Sequence, residues 1–188
     1  MLNNKNSGTE SIIEMMQYLT FKLDEEVFAI DISKVREVLE FSPVTKVPQT
    51  PDFMCGVINL RGSVVPVVDL RLKFGMEEAA KTVDTCIIIS EVTLDGETTI
   101  IGSLVDSVQE VFEFESSQIE PAPRIGTKLK VDFIKGMGKR DDEFIIILDI
   151  DRVFSTDEFS LIQQTEAFAT ERKHIAATAD STSESTGS

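Results

Sequence analysis

The chain contains the same unit twice. Val35-Arg36-Glu37-Val38-Leu39-Glu40-Phe41 and Val108-Gln109-Glu110-Val111-Phe112-Glu113-Phe114 share a V-x-E-V pattern at an offset of 73, and Pro48 matches Pro121 at that offset. The match then slips by seven residues and resumes at an offset of 80. Asp52-Phe53 and Gly56 match Asp132-Phe133 and Gly136; Asp69 matches Asp149 and Phe74 matches Phe154. The slip lies between Pro123 and Val131, where the second copy carries an extra loop around Arg124–Lys130. Repeated units commonly share a core, because one copy cannot bury its apolar faces alone.

Within each copy the apolar residues fall in strand-length runs bounded by turn residues. Gln17–Leu23 and Val27–Ile32 flank Asp24-Glu25-Glu26. Asp84–Leu94 and Glu97–Val105 flank Asp95-Gly96, a dipeptide that accepts positive φ in a tight hairpin. Val57–Leu60 and Val64–Leu70 flank Arg61-Gly62-Ser63, and Phe144–Ile150 follows a polar turn at Lys139–Glu143. With Val35–Phe41 and Val108–Phe114 the pattern predicts about ten strands, five per copy. Five short strands suit a small barrel closed on itself. A unit of about 65 residues has a marginal core, so two must pack together. The expected fold is all-β, with barrel one at about 16–80 and barrel two at about 82–155; strand exchange between them stays open. The seam between them becomes an apolar groove, a common place for binding.

The flanks differ from this core. Residues 1–15 are polar and read as a loose segment. At 156–175 an amphipathic helix is expected. Thr156 serves as its cap, Asp157 and Glu158 stand in its first turn, and Leu161, Phe168 and Ile175 recur every seven residues. Residues 176–188, AATADSTSESTGS, lack any large apolar side chain and read as a disordered tail. No apolar run approaches the roughly 20 residues a spanning helix needs. The first ten residues lack the features of a signal peptide, so a cytoplasmic location is expected.

A net charge of −15 disfavours nucleic acid and anionic membrane surfaces as partners and favours basic or apolar protein surfaces. Cys55 and Cys86 sit in apolar segments and read as small buried or half-buried thiols. His174 is the single histidine, which excludes a histidine-based metal cluster. No catalytic motif, cofactor loop or metal motif is present. Asp69 and Asp149 are the best acidic candidates for catalysis, but their equivalence in the repeat argues for one shared structural job, accepting backbone N–H bonds at a turn. Arg61 stands opposite Asp141 in the other copy, so the architecture does not demand an arginine there. It is either a solvated turn residue or one half of a fork-like pair, with Glu37 as the natural partner.

The run Gly56–Arg71, GVINLRGSVVPVVDLR, resembles the signature of the CheW family of chemotaxis coupling proteins. Phe28–Val38, Val44–Pro48, Gly102–Val108 and Ile119–Pro123 continue the resemblance, which covers residues 16 to about 155. It implies two packed five-stranded barrels of the Src-homology-3 type. It also implies a non-catalytic adaptor, without cofactor or metal, that links transmembrane chemoreceptors to the histidine kinase CheA through the kinase's regulatory domain. Such an adaptor is a monomer alone, joins rings in receptor arrays, and has no direct membrane contact. The resemblance makes Glu37 and Arg61 the family's acid and arginine. It places Val35, Val38, Gly102, Val108 and Val111 around the groove and the kinase contact, and the signature adds Asn59 and Gly62 beside Arg61. An adaptor of a parallel pathway, serving surface motility or second-messenger synthesis, fits the same residues. An acid-dependent enzyme using Asp69 or Asp149 is the third reading. About 30 residues follow the matching region, too few for the receiver domain of CheV-type proteins.

Overall fold

The computed structural model describes residues 14–121 and 132–183. These form two curled sheets and a C-terminal helix. Strands β1 (Met15–Leu23), β2 (Glu26–Asp31), β8 (Ser107–Glu115), β9 (Ile119–Glu120), β10 (Ile134–Arg140) and β11 (Glu143–Leu148) build one sheet, in the order β8-β1-β2-β11-β10-β9. The other holds β3 (Val35–Glu40), β4 (Met54–Leu60), β5 (Ser63–Asp69), β6 (Cys86–Leu94) and β7 (Glu97–Val105), in the order β3-β6-β7-β5-β4. Each is a Src-homology-3-like barrel.

The strands pair across the expected division at 16–80 and 82–155, with the strand exchange that division left open. The second sheet is the continuous segment 35–105, while the first joins the N-terminal hairpin to strands from 107 onwards. Each copy therefore donates its leading hairpin to the other copy's barrel. The connections enforce this. Only a 3-10 turn, Ile32–Lys34, separates β2 from β3, and only Asp106 separates β7 from β8. In both barrels the donated hairpin meets the rest by one antiparallel ladder (β1–β8, β6–β3) and one parallel ladder (β2–β11, β7–β5).

The hairpin strands carry apolar runs where both their faces are buried. Leu19, Phe21 and Leu23 face the shared core between the barrels, whereas Tyr18 lies in the interior of the first barrel. Likewise Ile88 enters the shared core, while Ile87 and Ile89 fill the second barrel. The shared core also takes Val153, Phe154, Phe159 and Ile162, so the C-terminal segment seals the seam from one side.

Other expectations are sharpened. The loose segment does not extend to residue 15, since Met15 opens β1. The Arg124–Lys130 loop lies outside the described residues. A short helix α1 (Leu70–Lys73) follows β5 and was not legible from periodicity, being a single turn. The C-terminal helix α2 runs from Thr156 to Ser183, past the expected end at Ile175 and into the stretch read as a disordered tail. Ser155, not Thr156, caps it. Glu158 N–H donates to Ser155 Oγ at 3.2 Å, and Ser155 N–H donates back to Glu158 Oε1 at 3.1 Å. Its buried stripe is Phe159, Ile162 and Thr165 rather than Leu161, Phe168 and Ile175. A seven-residue spacing drifts around a straight helix by about 20° per repeat. Phe168 is 45 % and Ile175 62 % exposed, and residues 171–176 are exposed throughout.

Candidate partner-binding site

The site is built on the turn between β4 and β5. Arg61 (φ 49°) and Gly62 (φ 86°) both occupy the left-handed region, as a tight two-residue hairpin requires. Gly62 meets this need freely; Arg61 does so at a steric cost of about 1–2 kcal/mol. Asn59 holds the turn, its Oδ1 accepting the Gly62 N–H at 3.0 Å. From this turn the Arg61 guanidinium reaches Glu37 on β3 and donates twice, Nη1 to Oε1 at 2.8 Å and Nη2 to Oε2 at 2.9 Å. Glu37 holds the guanidinium's pKa above its ordinary value by this hydrogen bond and by its charge. β3 and β4 are the two end strands of their sheet, so the fork clasps the barrel across its open edge. The Glu37 side chain is 24 % exposed and Arg61 76 %, so the cation presents itself to solvent.

Four valines follow the seam. Val35 and Val108 are half-buried against the shared core. Val38 pairs with Ile88 and Val111 with Leu19, and directly paired residues share a face. Both partners belong to the shared core, so Val38 (40 % exposed) and Val111 (46 % exposed) form equivalent apolar rims. Gly102 is different. It is buried on β7, where an added Cβ would lie 2.8 Å from Ile87 Cγ2 and 3.2 Å from Val67 Cγ2. Gly102 thereby makes room inside the second barrel.

The second copy has its own clasp, which repeat matching missed. Glu110, the equivalent of Glu37, accepts from Arg140 Nη1 at 2.8 Å. Arg140 stands one position before Asp141, so aligning Arg61 with Asp141 concealed it. Its guanidinium also lies 3.6 Å from the centroid of the Phe112 ring. The V-x-E-V repeat already carried the acid half of this signal.

Asp69 and Asp149 both accept backbone N–H bonds. Asp69 Oδ1 accepts from Arg71 N at 2.9 Å and from Leu72 N at 3.4 Å, and Asp149 Oδ1 from Asp151 N at 3.1 Å. Each thus caps the turn that follows its strand, and each also borders a surface cleft. Burial raises the pKa of Asp69. Burial, with the charge of Asp69, pushes the Cys55 thiol up to about 11; Cys55 and Cys86 are half-buried and unpaired. Among the described residues no group of three or more His, Cys, Asp or Glu side chains is placed to hold a metal ion, and no helix is long and apolar enough to cross a membrane.

The model of the CheW-like domain matches residues 17–158. The chain belongs to the CheW-like family. The chemotaxis protein CheW of Klebsiella aerogenes is 35 % identical over 78 % of this chain and 86 % of its own length. A probable chemotaxis protein CheW of Rhizobium etli is 32 % identical over 76 % and 89 %. The crystal structure of the scaffolding protein TtCheW from Thermoanaerobacter tengcongensis superposes with a TM-score of 0.68 at 37 % identity, covering 77 % of this chain and 96 % of that one. The chain is thus a CheW-like chemotaxis protein, and its fork pair and valine rims lie within the matched region.

Proposed function

We propose that this CheW-like protein is a non-catalytic adaptor that couples chemoreceptors to the histidine kinase CheA from the cytoplasm. The observation that carries this reading is the Glu37–Arg61 fork. It fixes an exposed cation at the edge of the second barrel, against Glu37 of the β3 strand that also carries the apolar rim residue Val38. A rigid cation with an apolar rim suits recognition by another protein, since pre-organised groups lose little entropy on binding. Val35, Glu37, Val38, Asn59, Arg61, Gly62, Val108 and Val111 form the proposed contact set. Binding at two faces lets the adaptor shift the kinase between conformations without chemistry of its own. Asp69 and Asp149 act as turn caps in this reading.

The test is titration of the protein with a receptor cytoplasmic fragment and with the kinase's regulatory domain. Binding to both supports coupling; binding to neither sinks it. Arg61→Ala should lose binding to at least one partner at an unchanged melting temperature. A large drop in melting temperature would instead make Arg61 a structural residue.

A further inference from the structure

The match to the family ends at residue 158, but α2 continues for a further 25 residues. This extension leads back to the site. Beside the buried Phe159, Ile162 and Thr165, Gln163 anchors the helix to β7 by donating to Glu97 Oε2 and to Thr99 Oγ1, each at 3.1 Å. Two turns on, Phe168, Ala169, Arg172 and Lys173 stand over a cleft of about 300 Å³, whose floor includes Val57, Ile58 and Asn59 of β4. From its rim, Lys173 Nζ donates a 2.7 Å hydrogen bond to the carbonyl oxygen of Gly62. That oxygen belongs to the residue next to Arg61, in the turn held from the other side by Asn59.

We infer that Lys173 is a positioning residue for Arg61, and that the α2 extension is a strap that fixes the Arg61-Gly62 turn for a carboxylate-bearing partner surface. The bond is charge-assisted, which makes it stronger than a neutral one. It gives the turn a second constraint where Arg61 already holds an unfavourable backbone conformation. It also adds charge. Lys46, Arg172 and Lys173 line the cleft without a carboxylate among its lining residues, beside the exposed Arg61. In a chain of net charge −15, such a cation-only edge is complementary to an acidic surface.

The inference deepens the proposed adaptor role, and it is testable with and without a partner. In the free protein, Lys173→Ala should raise the fast mobility of the Gly62 and Ser63 amides measured by nitrogen-15 relaxation, and Lys173→Arg should restore it. Unchanged amide dynamics in Lys173→Ala would overturn the strap, whatever the protein binds. In titrations with the receptor fragment and the kinase regulatory domain, Lys173→Ala should weaken the partner that Arg61→Ala weakens by about fivefold, with rescue by Lys173→Arg. The double variant should lose little more than Arg61→Ala alone. Full additivity would overturn the positioning role. Failure of the wild-type protein to bind either partner would remove the adaptor reading, while the relaxation measurement would still decide the strap.

Discussion

The two clasps close equivalent barrels in different ways. Glu37 and Glu110 occupy the same place in the repeat, each on a strand at one end of its sheet. Glu37 is met by an arginine from the hairpin turn itself, held twice and left largely exposed. Glu110 is met by an arginine from within β10, whose guanidinium also stacks on Phe112. The second arginine serves its own barrel with both charge and ring face. The first spends only its charge on the barrel and keeps its outer surface free. Duplication supplied the acid twice; placing the arginine in the turn turned one clasp outwards. α2 widens the difference, since it reaches the Arg61-Gly62 turn through Lys173.

The two copies differ most at their equivalent glycines. A Cβ at Gly56 (φ 137°) would lie 2.0 Å from the Thr45 carbonyl oxygen, whereas at Gly136 its nearest neighbour is the Ile119 side chain at 2.5 Å, with the Glu120 carbonyl oxygen at 2.8 Å. Gly56→Ala should cost more than about 3 kcal/mol and Gly136→Ala about 1–3 kcal/mol in denaturant titrations. Equal losses would mean that the two strand crossings are equally tight.

Next comes the knot that joins the barrels. Arg71 Nε donates to Asp106 Oδ1 at 2.7 Å, and the Asp24 N–H donates to Asp106 Oδ2 at 2.6 Å. Arg71→Ala leaves Asp106 half-buried without its cation and should cost about 1–3 kcal/mol. Burial pushes the Asp106 carboxyl upwards, but the hydrogen bonds from Arg71 and Asp24 outweigh it and leave the pKa below the ordinary value. Its stabilisation is therefore present above the ordinary carboxylate pKa and lost as pH falls through the lowered folded one. Asp69 has the opposite sign, because burial raises it. Its contribution is full below the ordinary pKa and lost as pH rises through the folded one. Between pH 2 and 6, the stability advantage of wild type over Asp106→Asn should grow with pH, and that over Asp69→Asn should shrink.

Smaller effects separate the caps and the clasps. Asp69→Ala and Asp149→Ala each remove a turn cap and should cost about 1 kcal/mol by thermal or chemical melting. A much larger loss of some other function in one of them would single out that copy. Arg140→Ala removes the ring contact and the ion pair and should cost about 0.5–1 kcal/mol. Arg61→Ala should leave the melting temperature unchanged. An equal drop in both would show that the two clasps do the same work.

Much of this fold was legible. The V-x-E-V strands, the Asp95-Gly96 hairpin and the capping role of Asp69 and Asp149 follow from local chemistry, in which a residue's type and its near neighbours suffice. Arg61 stood out because it breaks the repeat at a turn, and Asn59 came with the family signature. Arg140 gave no signal in the repeat, because long side chains let an ion pair to the same acid start from the neighbouring position. The tight packing of Gly102 was not legible, because only strand pairing brings Ile87 and Val67 near it.

The sequence by itself determined the strands, the duplication, the apolar faces and the family. The tertiary structure decided which hairpin closes which barrel, because a tandem repeat has no intrinsic starting point and any window of one period holds the same elements. The three-residue turn after β2 and the single residue after β7 settle that choice. It also decided that a helix outside the family's domain returns to the Arg61 turn. A contact of 111 positions between Lys173 and Gly62 leaves no local signal in the chain.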